Sequence, residues 1–202
     1  MIVPAFSQGL YGRLRQLAAA DWQRYVAHPF VQQLASGTLA ENAFRRYLTQ
    51  DYLFLIHFAR SYALLVSKLR TLPEMRAAAA SMNAILNELP LHVGYCAQWG
   101  ISEPEMAANL KPRNPQLYRY VLDIGHSGDA LDLLVALMPC VAGYAEIGLG
   151  LLQHPPPDWT ITPTPHGSAT MAMKAICRAS APRWRCWKRC GSSAGARRES
   201  LS

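Results

Sequence analysis

No stretch of about twenty apolar residues in this 202-residue chain runs free of a charge or a helix breaker. That pattern argues against a transmembrane helix. The opening MIVPAFSQGLYGRLRQ lacks a basic segment followed by a long apolar one, so no secretory leader is expected and a cytoplasmic location is. The 5 cysteines form no CxxC pairs, which argues against a zinc site, and in a cytoplasmic protein they are expected to be mostly reduced thiols rather than a disulfide framework. His28, His57, His92 and His126 form no ligand cluster either, so no metal is expected. Stretches that alternate polar and apolar residues as strands do are scarce. Acidic residues are also scarce, but only at one end. Residues 1–153 hold 12 Lys and Arg against 11 Asp and Glu, whereas residues 154–202 hold 8 against 2. The formal charge of +7 is therefore a property of the last quarter, and the body shows no design for nucleic acid.

What is present is helical periodicity. Leu10, Leu14, Leu17, Trp22 and Tyr25 fall close to helical spacing, and His28-Pro29 ends that run. Ser36 or Thr38 can cap the next helix, with Glu41 three residues after Thr38 as a capping box requires. From about Leu39 to Arg70, one face carries Phe44, Leu48, Asp51, Leu55 and Phe58. A third helix is expected from about Leu72 to Trp99, interrupted or kinked at Pro90 and ended by Gly100. KPRNP at 111–115 is a break, followed by a helix through Leu117–Ile124. Ser127 with Asp129 opens the last clear helix, to about Gln153. With half its residues hydrophobic, the chain can bury a core, and residues 1–153 read as one all-α domain.

Beyond Gln153 the character changes. HPPPDWTITPTPHGSA cannot be helix, and CRASAPRWRCWKRCGSSAGARRESLS has no apolar periodicity. The genetic code nevertheless allows a hidden helix there. Reading residues 160–191 from the third base of each codon permits Asp-His-Thr-Tyr-Ala, then Ala-Ala-Leu-Ala-Leu-Leu-Glu-Ala-Leu. Residues 154–202 are expected to be either a frameshifted segment or a basic disordered tail. Cys177, Cys186 and Cys190 lie in it without metal-ligand spacing.

Three ordered motifs, HPFVQQLASGTL at 28–39, FRRYLTQDYLFL at 44–55 and LMPCVAGYAEIG at 137–148, resemble the signature stretches of the TenA family. These are thiaminase II enzymes with a haem-oxygenase-like helical bundle, which this chain would carry with an irregular C-terminal end. The resemblance implies hydrolysis of an aminomethylpyrimidine to its hydroxymethyl counterpart in thiamin salvage, and in some members cleavage of thiamin. No cofactor is implied. A small-molecule pyrimidine or thiamin is the implied partner, with self-association as a homotetramer. The family normally continues with a Trp-Ile-x-Thr-Tyr stretch, which should begin at Trp159.

The resemblance makes Cys140 the nucleophile, and physical reasoning agrees with that role. Pro139 has no N–H and crowds the carbonyl of Val135, so the helix must bend or open beside the thiol. An ordinary thiol with a pKa near 8.5 is mostly protonated at neutral pH and needs activation. Asp51 matches the family's acidic partner, and one carboxylate suits the adjacent ring nitrogen and exocyclic amine of an aminopyrimidine. Tyr144, four residues after Cys140, shares its face. Tyr118 and Tyr120 match another tyrosine-bearing stretch, with Tyr120 the preferred pocket hydroxyl. Phe54, where the family often has tyrosine, could stack on the substrate ring. Glu88 is a further substrate-side candidate, either paired with His92 or merely meeting it on a helix surface. Cys96 has no comparable context. The family's catalytic glutamate, a proton donor on the final helices, has no counterpart except Glu199, which lacks a helical setting. Loss of that donor would leave weak catalysis, or a non-catalytic pyrimidine-binding or regulatory protein.

Overall fold

A computed structural model describes residues 9–109 and 115–153 of the chain. The tail from residue 154 lies outside the described residues. With it lie the frame-change expectation, Glu199 and the three tail cysteines.

Among the described residues every regular element is helical: α1 (Gly9–Leu17), α2 (Ala19–Val26), α3 (Pro29–Ser36), α4 (Glu41–Lys68), α5 (Leu72–Gln98), α6 (Glu103–Asn109), α7 (Pro115–Ser127), α8 (Ala130–Met138), a π-helical turn over Pro139–Gly143, and α9 (Tyr144–Gln153). The long helices α4 and α5 pack along each other, and α7 and α8 also pack on α4. The expected face of α4 is its core face: Phe44, Leu48, Asp51, Leu55 and Phe58 are all buried. Each buried Leu or Phe contributes about 1.5–3 kcal/mol of apolar burial.

The helix ends follow local chemistry. At α5, Thr71 Oγ1 accepts from the Glu74 amide at 3.4 Å, while Glu74 Oε2 accepts from the Thr71 amide at 3.2 Å, a reciprocal capping box. Asp129 and Asp132 form the same arrangement at α8. Gly37 and Gly100 take φ of 73° and 72°, left-handed conformations that glycine adopts without penalty, one just after α3 and the other just after α5.

Three expectations need correction. The N-cap of α4 is Ala40, with no side-chain cap; Thr38 instead meets Ser36 at 2.8 Å, and Glu41 bonds Arg45. The left-handed turn at Gly37 holds the Thr38 amide on the Gln33 carbonyl, so Thr38 belongs to the end of α3 rather than the start of α4. Leu17 is 86% exposed, because the chain breaks between α1 and α2 and the apolar face is reset around Tyr11 and Trp22. Pro90 does not interrupt α5.

The apolar stretch Ala130–Leu151 is not cut at its proline. Helical structure continues through Pro139, which makes this stretch long and apolar enough to cross a bilayer by length and composition alone. Some 61% of its most apolar 18-residue window is buried inside the molecule, where Leu133, Leu134, Leu137 and Val141 form core.

Candidate active site

Cys140 sits in the π-turn. Pro139 cannot donate to Val135, and the ladder relaxes to the wider i→i+5 pattern over Pro139–Gly143. Two contacts hold the turn open. Tyr25 Oη donates to the Pro139 carbonyl at 3.3 Å. Gly143 provides the room for the Tyr25 ring, since a Cβ there would lie 2.3 Å from Tyr25 Cε1. The segment carrying Tyr25 is itself tied down through Glu146, which accepts from Arg15 at 2.6 Å and from Trp22 Nε1 at 2.9 Å. Glu146 is thus a structural anchor.

The Cys140 thiol, in no disulfide, borders a narrow aromatic cleft lined by Phe54, His57, Phe58, Tyr118 and Val121 and partly open to solvent. Phe54 stacks on Phe58 with ring centroids 5.1 Å apart, and His57 stacks on Tyr118 at 4.9 Å. The preferred tyrosine must change: Tyr118 lines the cleft, while Tyr120 is 58% exposed. Two residues apart on one helix, they cannot share a face.

Asp51, Tyr47, His92, Glu88 and Tyr144 form a polar cluster beside the cleft. Asp51 Oδ2 lies 2.9 Å from His92 Nε2 and accepts from the Tyr47 hydroxyl at 3.3 Å. Tyr144 lies close enough to Asp51 and Tyr47 for their charges to act on one another. Glu88 is 3% exposed and His92 1%. They are not a surface pair, and the contact between them runs from His92 Nδ1 to the Glu88 backbone carbonyl at 3.2 Å. Cluster and cleft adjoin at Cys140. Burial raises the pKa values of Tyr25, Tyr118 and Tyr144, and the charges of Asp51 and Cys140 both add to the rise in each. All three therefore stay neutral phenols, able to donate. His92 is pulled both ways: burial opposes its charge, but the hydrogen bond and charge of Asp51 outweigh it and raise its pKa. Cys96 is fully buried, and burial raises its thiol pKa, which makes it inert.

Tyr47, Tyr25 and His57 were not among the expected site residues. Tyr47 and His57 could have been found by spacing, at four before Asp51 and three after Phe54 on one helix. Tyr25 could not, since it arrives from another element.

Fold and site together define an all-helical bundle protein with a thiol presented by a distorted turn to an aromatic pocket. Residues 15–169 match the model of the TENA/THI-4/PQQC family, and the chain belongs to that family. Its fold is the haem-oxygenase-like helical bundle. A crystal structure described as a TenA family transcription regulator from Silicibacter sp. TM1040 superposes with a TM-score of 0.72 at 36% identity, covering 95% of this chain and 94% of that one. An uncharacterised protein of Haemophilus influenzae is 41% identical over 145 residues, covering 71% of this chain and 67% of the relative. The aminopyrimidine aminohydrolase of Halalkalibacterium halodurans is 35% identical over 149 residues, covering 73% of this chain and 65% of the relative. The chain thus spans about two thirds of the length of these two relatives.

Proposed function

We propose that the protein hydrolyses an aminomethylpyrimidine to the hydroxymethyl compound, with Cys140 as nucleophile. The observation that carries this reading is the placement of Cys140, opened toward an aromatic cleft beside the buried carboxylate of Asp51. A flat, weakly polar heterocycle suits the cleft, where Phe54, Phe58 and Tyr118 offer ring faces and edges. Asp51 is the natural acceptor for the exocyclic amine. Cys140 Sγ attacks the methylene carbon, the carbon–nitrogen bond breaks, and the amine leaves as ammonia after taking up a proton. Water then displaces sulfur, giving the alcohol and restoring the thiol. Similarity to aminopyrimidine aminohydrolases supports the substrate class.

The test is ammonia release from an aminomethylpyrimidine by the full chain. Cys140→Ser is expected to lower kcat at least about a hundredfold, as removal of a nucleophile should. Equal rates in variant and parent would remove Cys140 from that role. A second reading, ligand binding without turnover, is favoured by the description of the Silicibacter structure as a regulator. It predicts that the pyrimidine raises Tm while no ammonia forms.

A further inference from the structure

The Asp51–His92 contact joins the middles of α4 and α5, 41 residues apart in sequence and buried on both sides. Each ring nitrogen of His92 faces an oxygen. The Glu88 carbonyl opposite Nδ1 has no proton to give, so Nδ1 must carry one. Opposite Nε2 is Asp51 Oδ2, which already accepts from the Tyr47 hydroxyl. An oxygen receiving one donor is a weaker base for a second proton, so the shared proton rests on nitrogen. Asp51 on α4 and the Glu88 carboxylate on the histidine's own helix both favour the cation. The hydroxyl of Tyr47 joins this group through Asp51 Oδ2. Among the described residues, both hydrogen-bond contacts of the Asp51 carboxylate fall on Oδ2, and neither on Oδ1.

We propose that His92 is a positioning residue, an imidazolium that clamps Asp51 through Oδ2 and leaves Oδ1 to accept from the substrate's exocyclic amine. The proposal rests on the hydrolase reading for the identity of the substrate, but not for the state of the pair. A carboxylate so clamped is restrained from rotating. Binding energy is then not spent in orienting it.

The pair can be examined without turnover. In the full chain labelled with ¹⁵N-histidine, His92 is identified as the signal lost in His92→Gln. Near pH 7, where an ordinary histidine of pKa about 6.5 is mostly neutral, both His92 nitrogens should be protonated. One bare ring nitrogen at that pH would overturn the proposal. The second measurement is the split between KM and kcat. His92→Gln keeps an N–H donor for Asp51 but removes the charge, so KM should rise about tenfold with little change in kcat. His92→Leu removes both and should raise KM further. Folded His92→Gln and His92→Leu proteins with unchanged KM would refute the role. Should the parent release no ammonia, the same loss is read from the pyrimidine Kd. Failure of the hydrolase reading then leaves the pair tested.

Discussion

Replacing Gly143 by alanine tests the claim that Tyr25 and the π-turn are one packed unit. The added Cβ would lie 2.3 Å from Tyr25 Cε1 and 3.2 Å from both Cζ and Oη. The closest approach is more than about 1 Å inside ordinary carbon–carbon contact. Tyr25 cannot step aside freely. Its hydroxyl holds the Pro139 carbonyl at 3.3 Å, and its ring packs edge-to-face with Trp22, centroids 5.9 Å apart. Overpacking of this kind costs about 1–3 kcal/mol, and loss of the hydroxyl's bond adds about 0.5–1.5 kcal/mol. Alanine's better helix propensity returns about 0.5–1 kcal/mol. The net expectation is destabilisation by roughly 1–3 kcal/mol, read from urea unfolding at constant m-value.

The sign of the effect should depend on Tyr25. In a Tyr25→Ala background the clash is gone, and Gly143→Ala should become neutral or mildly stabilising. The coupling between the two sites should then be about 1–3 kcal/mol, well above the few tenths expected of independent positions. If Gly143→Ala is harmless with Tyr25 intact, or equally damaging without it, Tyr25 does not occupy the space that the missing side chain leaves.

Two further substitutions probe the frame around the site. Glu146→Gln should cost about 1–3 kcal/mol by urea unfolding, since the ion pair to Arg15 is 14% exposed on each side. Burial opposes the Glu146 charge, but Arg15, Trp22 and Tyr11 outweigh it and lower its pKa below 4.5. Its contribution is therefore full above that ordinary value and lost as pH falls through the lowered one, so parent and variant should converge in acid. Thr71→Ala should lower stability by about 1 kcal/mol, and Thr38→Ala by less than half of that, because only Thr71 caps a helix. Equal losses in thermal or urea unfolding would contradict the assigned helix starts.

Helical spacing shows which residues share a face, and that is why the core face of α4 could be read directly. Phe44, Leu48, Asp51, Leu55 and Phe58 recur at three and four residues, and no other element is needed to recognise them. The same spacing is silent about the other side of the interface. Asp51 could be placed on the buried face, but its partner is 41 residues away on α5. Spacing alone suggested a Glu88–His92 side-chain pair, whereas the imidazole turns across to α4. Tyr118 and Tyr120 show the same limit. Choosing between them requires the phase of α7 against the cleft, which depends on tertiary packing rather than on its own residues.

The two interior prolines show where local chemistry stops deciding. Each removes an amide donor and crowds the preceding turn, so the sequence predicts the same disturbance at both. At Pro90 the helix continues; the ring is exposed, and solvent can serve a carbonyl freed on that face. At Pro139 the ladder widens into a π-turn. The difference lies in the next helical turn and in its packing. Gly143, four residues on, has no Cβ and admits the Tyr25 ring, whose hydroxyl then holds the Pro139 carbonyl. Proline opens the turn, glycine makes room, and tyrosine fixes it. The thiol between them is presented by three residues on two elements, and none of the three would suffice alone.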